Sequence, residues 1–187
     1  MRLADTFGFD ALYMTGYGVS ASYLGVPDAG FATYTDMENR VRTISGVAAT
    51  PLIADADTGY GGALNVMHTI RGYERAGAAA IQIEDQEFPK RCGHTLGRRV
   101  LPMEDMVLKL RVAVDTREDP NFLIIARTDA RTTLGLDEAL RRGEAYVKAG
   151  ADVRLKNELG LTAADFARQS GRDRDAAELD RLAGQAR

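Results

Sequence analysis

Apolar residues along this chain alternate between two spacings. Short runs that are apolar almost throughout, at Ala11 to Met14, Leu52 to Asp55, Ala79 to Glu84 and Phe122 to Arg127, predict strands. The segments Asp36 to Ser45, Gly62 to Ala76, Pro102 to Thr116 and Leu136 to Ala149 repeat their apolar residues at helical spacing. Such alternation builds βα units around a parallel sheet, and strands with so few polar residues should be covered on both faces. A barrel and a doubly wound sheet both satisfy the pattern.

Local signals agree. Gly46, Gly77 and Gly150 stand where helix C-caps belong, Tyr34-Thr35-Asp36 supplies polar N-cap candidates, and Pro102-Met103-Glu104-Asp105 places acids in a first turn. The connection from Asp85 to Leu101 breaks the pattern, being long, charged and without apolar period. Connections of that length are more often functional loops than simple linkers.

Three of the predicted strands finish in charge: Asp55-Ala56-Asp57, Glu84-Asp85 and Arg127-Thr128-Asp129. Parallel sheets place their sites beyond the carboxyl ends of the strands, so these residues should meet at one mouth. Crowded carboxylates repel one another, and a hard cation such as Mg2+ relieves that repulsion. Helix capping or pairing with arginine is the plainer role for any one of them. Arg127 closes an apolar strand with a guanidinium fork suited to a substrate carboxylate or to an ion pair with Asp129. The turn Asp57-Thr58-Gly59-Tyr60-Gly61-Gly62 lacks the lysine of a phosphate loop and reads as a flexible entry to the next helix. His68, alone in a helical stretch, reads as a packing or surface residue.

Cys92, the chain's one cysteine, follows Lys90 and Arg91 and stands two residues before His94. Neighbouring cations and an imidazole favour a usable thiolate, and a polar Gly-bearing loop offers little burial. The chain has 187 residues, room for one core with at most a small appendage. Its 24 Lys+Arg against 27 Asp+Glu leave a formal charge of -3, which disfavours nucleic-acid and membrane-surface partners. With neither a membrane-spanning run nor a signal peptide, the expected location is cytoplasmic.

Taken together, Tyr13-Met14-Thr15-Gly16, Gly25-Val26-Pro27-Asp28, Asp55-Ala56-Asp57-Thr58-Gly59-Tyr60-Gly61, Ile83-Glu84-Asp85-Gln86, Lys90-Arg91-Cys92-Gly93-His94 and Ala126-Arg127-Thr128-Asp129-Ala130 resemble the isocitrate lyase and phosphoenolpyruvate mutase superfamily over about residues 1 to 152. The resemblance implies a (β/α)8 barrel, Mg2+ with Mn2+ as an alternative, and a small carboxylate substrate. It implies Asp57 as the direct metal ligand, with Asp55, Glu84 and Asp28 acting through water. Tyr13, Thr15, Gly16, Gly93, His94 and Arg127 match substrate-binding positions, and Cys92 matches the proton donor of the lyase branch. The implied reaction is retro-aldol cleavage of a 2-hydroxy di- or tricarboxylate of methylisocitrate or dimethylmalate type. A phosphonate- or oxaloacetate-acting relative and an inactive remnant are the alternatives.

Past Gly150 the resemblance ends. Asn157 stands where the family would bring a glutamate, and Gly150 to Ala167 look like one ankyrin repeat. The expected architecture is therefore a partial TIM barrel over residues 1-150, without its first and last units, followed by an ankyrin-like helical tail over 151-187. One repeat cannot stack into a solenoid, so the tail should pack on the barrel or stay loose. Open sheet edges invite a homo-oligomer.

Overall fold

The computed structural model describes residues 1–151, 164, 165, 168, 171 and 173–185. Four strands, β1 (Leu12–Met14), β2 (Leu52–Asp55), β3 (Ala80–Glu84) and β4 (Leu123–Arg127), form one parallel sheet in that order. Each begins within one residue of its predicted start, because a short β-rich apolar run leaves few alternatives. Before them lies α1 (Arg2–Asp5); α2 (Gly16–Val19) runs into a π-helical turn (Ser20–Leu24). Then come α3 (Tyr34–Ser45), α4 (Ala63–Ala76), α5 (Met103–Thr116), α6 (Ala130–Thr133), α7 (Leu136–Lys148) and α8 (Asp173–Gln185).

The main helices cover one face of the sheet. Leu12, Met14, Leu52, Ala54, Ile81, Ile83 and Ile124 pack against Met37 and Val41 of α3, Val66, Ile70 and Tyr73 of α4, and Met106 and Leu110 of α5. The opposite face departs from expectation: Tyr13 is exposed, and Ile53, Gln82 and Ile125 are only half-buried. The apolar runs predict coverage on both faces, but among the described residues the helices pack on only one. That open face carries the charged strand ends, because Asp55 pairs in register with Gln82, and Glu84 with Arg127, at the carboxyl end.

Three helix starts differ from the sequence reading, Gly62 capping α4 and not beginning it. The cap of α3 is Thr33, whose hydroxyl accepts from Asp36 N while Asp36 accepts from Thr33 N, a reciprocal box that begins just before the candidates. Pro102 caps α5 and does not begin it. Gly77 ends α4 in the left-handed conformation, whereas Gly46 closes α3 in the ordinary helical region. The stretch before α3 holds α2 and the π turn, unpredicted because Tyr17, Val19, Ala21 and Tyr23 alternate at period two and not at helical spacing.

Beyond Gly150, Asn157 and nearly all of the ankyrin-like segment lie outside the described residues. The described tail helix α8 packs against α7, with Ala176 buried and Arg181 3.7 Å from Glu144. Among the described residues no helix is long and apolar enough to cross a membrane.

Candidate active site

The sheet's carboxyl end opens into a cavity of about 460 Å3 whose walls include Asp28, Asp55, Glu84, Cys92 and Arg127. Thr15, Gly93 and His94 line it as well. Residues predicted from sequence thus converge from the ends of all four strands and from the cysteine loop. Gly16, Asp57 and Tyr13 stand just outside that wall. Gly16 N donates to Asp55 Oδ2 at 3.0 Å, and Asp57 N donates to Asp55 Oδ1 at 3.1 Å. Tyr13 OH accepts from Gln82 Nε2 at 2.8 Å on the open face of the sheet.

Close approach explains two glycines. A Cβ on Gly16 would lie 3.0 Å from both Asp55 Oδ2 and Asp57 Oδ1, so any larger residue crowds two carboxylates. A Cβ on Gly93 would lie 2.5 Å from Arg127 Nη2, so the cysteine loop touches the guanidinium only because it has no side chain there. Asp57 itself holds φ 47°, an unfavourable conformation for a non-glycine residue, which turns its amide back toward the Asp55 carboxylate.

Charge in the pocket is unbalanced. Asp28, Asp55, Asp57 and Glu84 are all buried or nearly so, against the cations Lys90 and Arg127. Lys90 Nζ sits 2.5 Å from Asp28 Oδ1 and 2.8 Å from Asp57 Oδ1, and those acids hold it above the usual lysine range despite its burial. Arg127 lies 3.2 Å from Glu84 Oε2 and 3.2 Å from Asp129 Oδ2, so the predicted ion pair with Asp129 exists beside a second one. Burial pushes Asp57 up to about 6, with Asp55 and Asp28 adding to the rise and Lys90 opposing it. Burial likewise pushes Glu84 up to about 8 against the pull of Arg127.

Do these residues fit a divalent cation? Glu84 Oε1 is buried without a hydrogen-bond partner, an orphaned acceptor at the point where acid exceeds base. Among the described residues no three His, Cys, Asp or Glu side chains converge tightly enough to hold an ion by themselves. Lys90 separates Asp28 from Asp57, and Asp55 is occupied by two backbone amides. The donor set therefore suits a hard ion that keeps most of its water and takes one or two carboxylates, which is the habit of Mg2+.

Cys92 is partly exposed, with Sγ 3.7 Å from His94 Nδ1. The two cations beside it in sequence do not serve it. Lys90 turns to Asp28 and Asp57, and Arg91 to the Leu96 carbonyl. His68 packs on Tyr34 at 4.4 Å in an outer groove of about 600 Å3 between α3 and α4, away from every predicted site residue.

Residues 1–163 match the family described as phosphoenolpyruvate phosphomutase. The chain belongs to that family. Its relatives include 2,3-dimethylmalate lyase of Eubacterium barkeri, 61% identical over 152 residues, which are 81% of this chain and 53% of that one. The 2-methylisocitrate lyase of Salmonella typhimurium is 49% identical over 152 residues, 81% of this chain and 52% of the relative. The crystal structure of phosphonopyruvate hydrolase in complex with oxalate and Mg2+ is similar at a TM-score of 0.73 and 41% identity, over 81% of this chain and 52% of that one. The chain spans about half the length of the curated relatives it matches.

Several residues of this phosphomutase-family site escape a reading of the sequence. Lys90 is visible there only as a cation beside Cys92, although the two-residue offset could have suggested that it faces the acids. Gln86 clamps the loop by exchanging hydrogen bonds with Arg91 N and O, and also donates to Asp129 Oδ2 at 3.1 Å. Arg98 reaches back to the carbonyls of Gly93 and Thr95. Asp85 and Arg142 meet in a buried pair 57 residues apart, a partnership that no local spacing announces.

Proposed function

We propose that this chain carries the site of a Mg2+-dependent carbon–carbon lyase that cleaves a 2-hydroxy di- or tricarboxylate of methylisocitrate or dimethylmalate type. The observation that carries this reading is the thiol of Cys92 on the wall of the same cavity as Asp55, Glu84 and Arg127. Arg127 would bind and orient a substrate carboxylate, with Gly93 giving the loop room to close on it. Thr15, Gly16, His94 and Tyr13 would shape the rest of the binding surface. Asp57 would hold the ion directly, while Asp55, Glu84 and Asp28 hold its water. When bound, Mg2+ supplies Lewis-acid stabilisation of the negative charge that C–C cleavage leaves on the enolate-like fragment. Cys92 then delivers a proton to that fragment's carbon, with His94 positioned to hold the thiol.

The relatives named as lyases support the reaction class. The Mg2+ in the phosphonopyruvate hydrolase complex supports the metal, with Mn2+ the alternative. A second reading is a phosphonate- or oxaloacetate-acting enzyme that shares the metal site and has no need of Cys92, and the same relative supports its phosphonate form. We assign residues 1-150 to a partial (β/α)8 barrel and 151-187 to an ankyrin-like tail, in a cytoplasmic homo-oligomer with no nucleic-acid or membrane partner. The half-open sheet face supports the oligomer, and the formal charge of -3 supports the absence of polyanionic partners.

The test is incubation with methylisocitrate, dimethylmalate, oxaloacetate and phosphonopyruvate in Mg2+. Release of pyruvate or glyoxylate from the hydroxy acids, abolished by chelation and by Cys92→Ser, is expected. Turnover of oxaloacetate or phosphonopyruvate that survives Cys92→Ser would establish the second reading. No turnover of any of them, with Mg2+ and oxalate still binding, would leave a binding remnant.

A further inference from the structure

The side chain with most to explain outside the cavity is Asp85, fully buried one residue past the end of β3. Its Oδ2 accepts from Thr128 Oγ1 at 2.6 Å, from Tyr146 OH at 2.8 Å and from Arg142 Nη1 at 3.0 Å. Its Oδ1 accepts from Asp129 N at 2.9 Å. Arg142, only 4% exposed, also donates to the Leu101 carbonyl at 2.8 Å, and Leu101 N donates to Asp85 O at 2.9 Å.

This cluster touches both ends of the cysteine loop and the segment that carries Arg127. Residues 85 and 101 bound the loop, and both are tied to Arg142. Gln86, next along, clamps Arg91 immediately before Cys92 and donates to Asp129. Asp129 in turn lies against Arg127 and 3.6 Å from Arg98, whose guanidinium gathers the loop carbonyls. A buried carboxylate with this many donors is poorly explained by stability alone, since apolar packing often serves as well.

We propose that Arg142 and Tyr146, acting through Asp85, are positioning residues that set the placement of Cys92 and Arg127 relative to each other. Helix α7 is then a strut that locks the proton donor's loop to the guanidinium's loop, and neither residue touches substrate. The proposal rests on the reading of Cys92 and Arg127 as working residues.

Cys92 is the chain's single cysteine, so its alkylation by iodoacetamide reports the loop's placement in the native protein without any turnover. Arg142→Met should raise that rate, because a loop released at both ends opens more often, and should weaken binding of oxalate with Mg2+ by about tenfold, the lower end for loss of a supporting partner. Tyr146→Phe should do the same to a smaller degree, and Arg142→Lys should recover part of both. Lys148→Ala, which removes an exposed pair with Glu144 on the same helix and leaves every partner of Arg142 in place, should change neither. Should Arg142→Met fail to fold, Tyr146→Phe and Arg142→Lys carry the comparison. Wild-type alkylation rates in Arg142→Met and Tyr146→Phe, measured well below their melting midpoints, would overturn the proposal and leave the cluster structural. Absence of turnover in the wild-type chain would instead sink the lyase reading and leave the alkylation comparison standing.

Discussion

Single residues in the pocket carry consequences that follow from contact distance and charge. Gly93→Ala places a methyl 2.5 Å from Arg127 Nη2, so the guanidinium must leave Glu84 or Asp129. Oxalate affinity measured by calorimetry in Mg2+ should fall by about tenfold while the melting temperature barely moves, because the displaced group is a mobile side-chain end. The acids give a pH dependence of definite sign. Glu84 ordinarily titrates at 4.5 and is pushed by burial to about 8 in the folded chain. Asp57 moves from 3.8 to about 6 for the same first reason. The folded state therefore keeps protons that the unfolded chain has already lost, and their contribution to stability, full at low pH, is lost as pH rises to about 8. Metal-free protein should show this decline from about pH 5 to pH 8 in denaturant titrations, and Glu84→Gln should flatten it. Added Mg2+ should raise the midpoint more at about pH 8 than at pH 5.5, since protons compete for the same oxygens.

Elements were legible where their pattern is local. The four strands and four main helices come from runs and periods that need no knowledge of the rest of the chain. The cap of α3 is equally local, and Thr33→Ala should cost about 1 kcal/mol, or ~2–4 °C in thermal melts followed by circular dichroism. An unchanged midpoint would mean that tertiary packing, not the box, sets where α3 begins. Helix α7 reverses the usual inference. Leu136 and Leu140 are exposed at 38% and 37%, while Arg142 is buried beside Tyr146. Apolar spacing cannot find such a face, because what draws Arg142 inward is a carboxylate just past the end of a strand.

At the scale of the whole molecule, the site exists only as an assembly of strand ends and one long loop. Ligands that bind this assembly and not the unfolded chain must stabilise it. Mg2+ and oxalate together, at about 100 times their dissociation constant, should add ~2.7 kcal/mol to the unfolding free energy, and neither alone should reach that. Chelation should remove the gain in a melting series. Light scattering on the purified chain tests the homo-oligomer, and a monomer at micromolar concentration would overturn it. By itself the sequence determined the order of the four strands and four main helices, the charged carboxyl ends that meet at one mouth with Asp85 as the exception, and the family. Each of these is written in contiguous residues or in a rule that holds for any parallel sheet. Tertiary structure alone decided that Lys90 faces Asp28 and Asp57, that Gly93 leaves room for Arg127, and that Asp85 is held by a helix far along the chain. Those outcomes depend on distances between segments that are remote in sequence, and such distances come into being only when the strands have paired and the loop has closed over their ends.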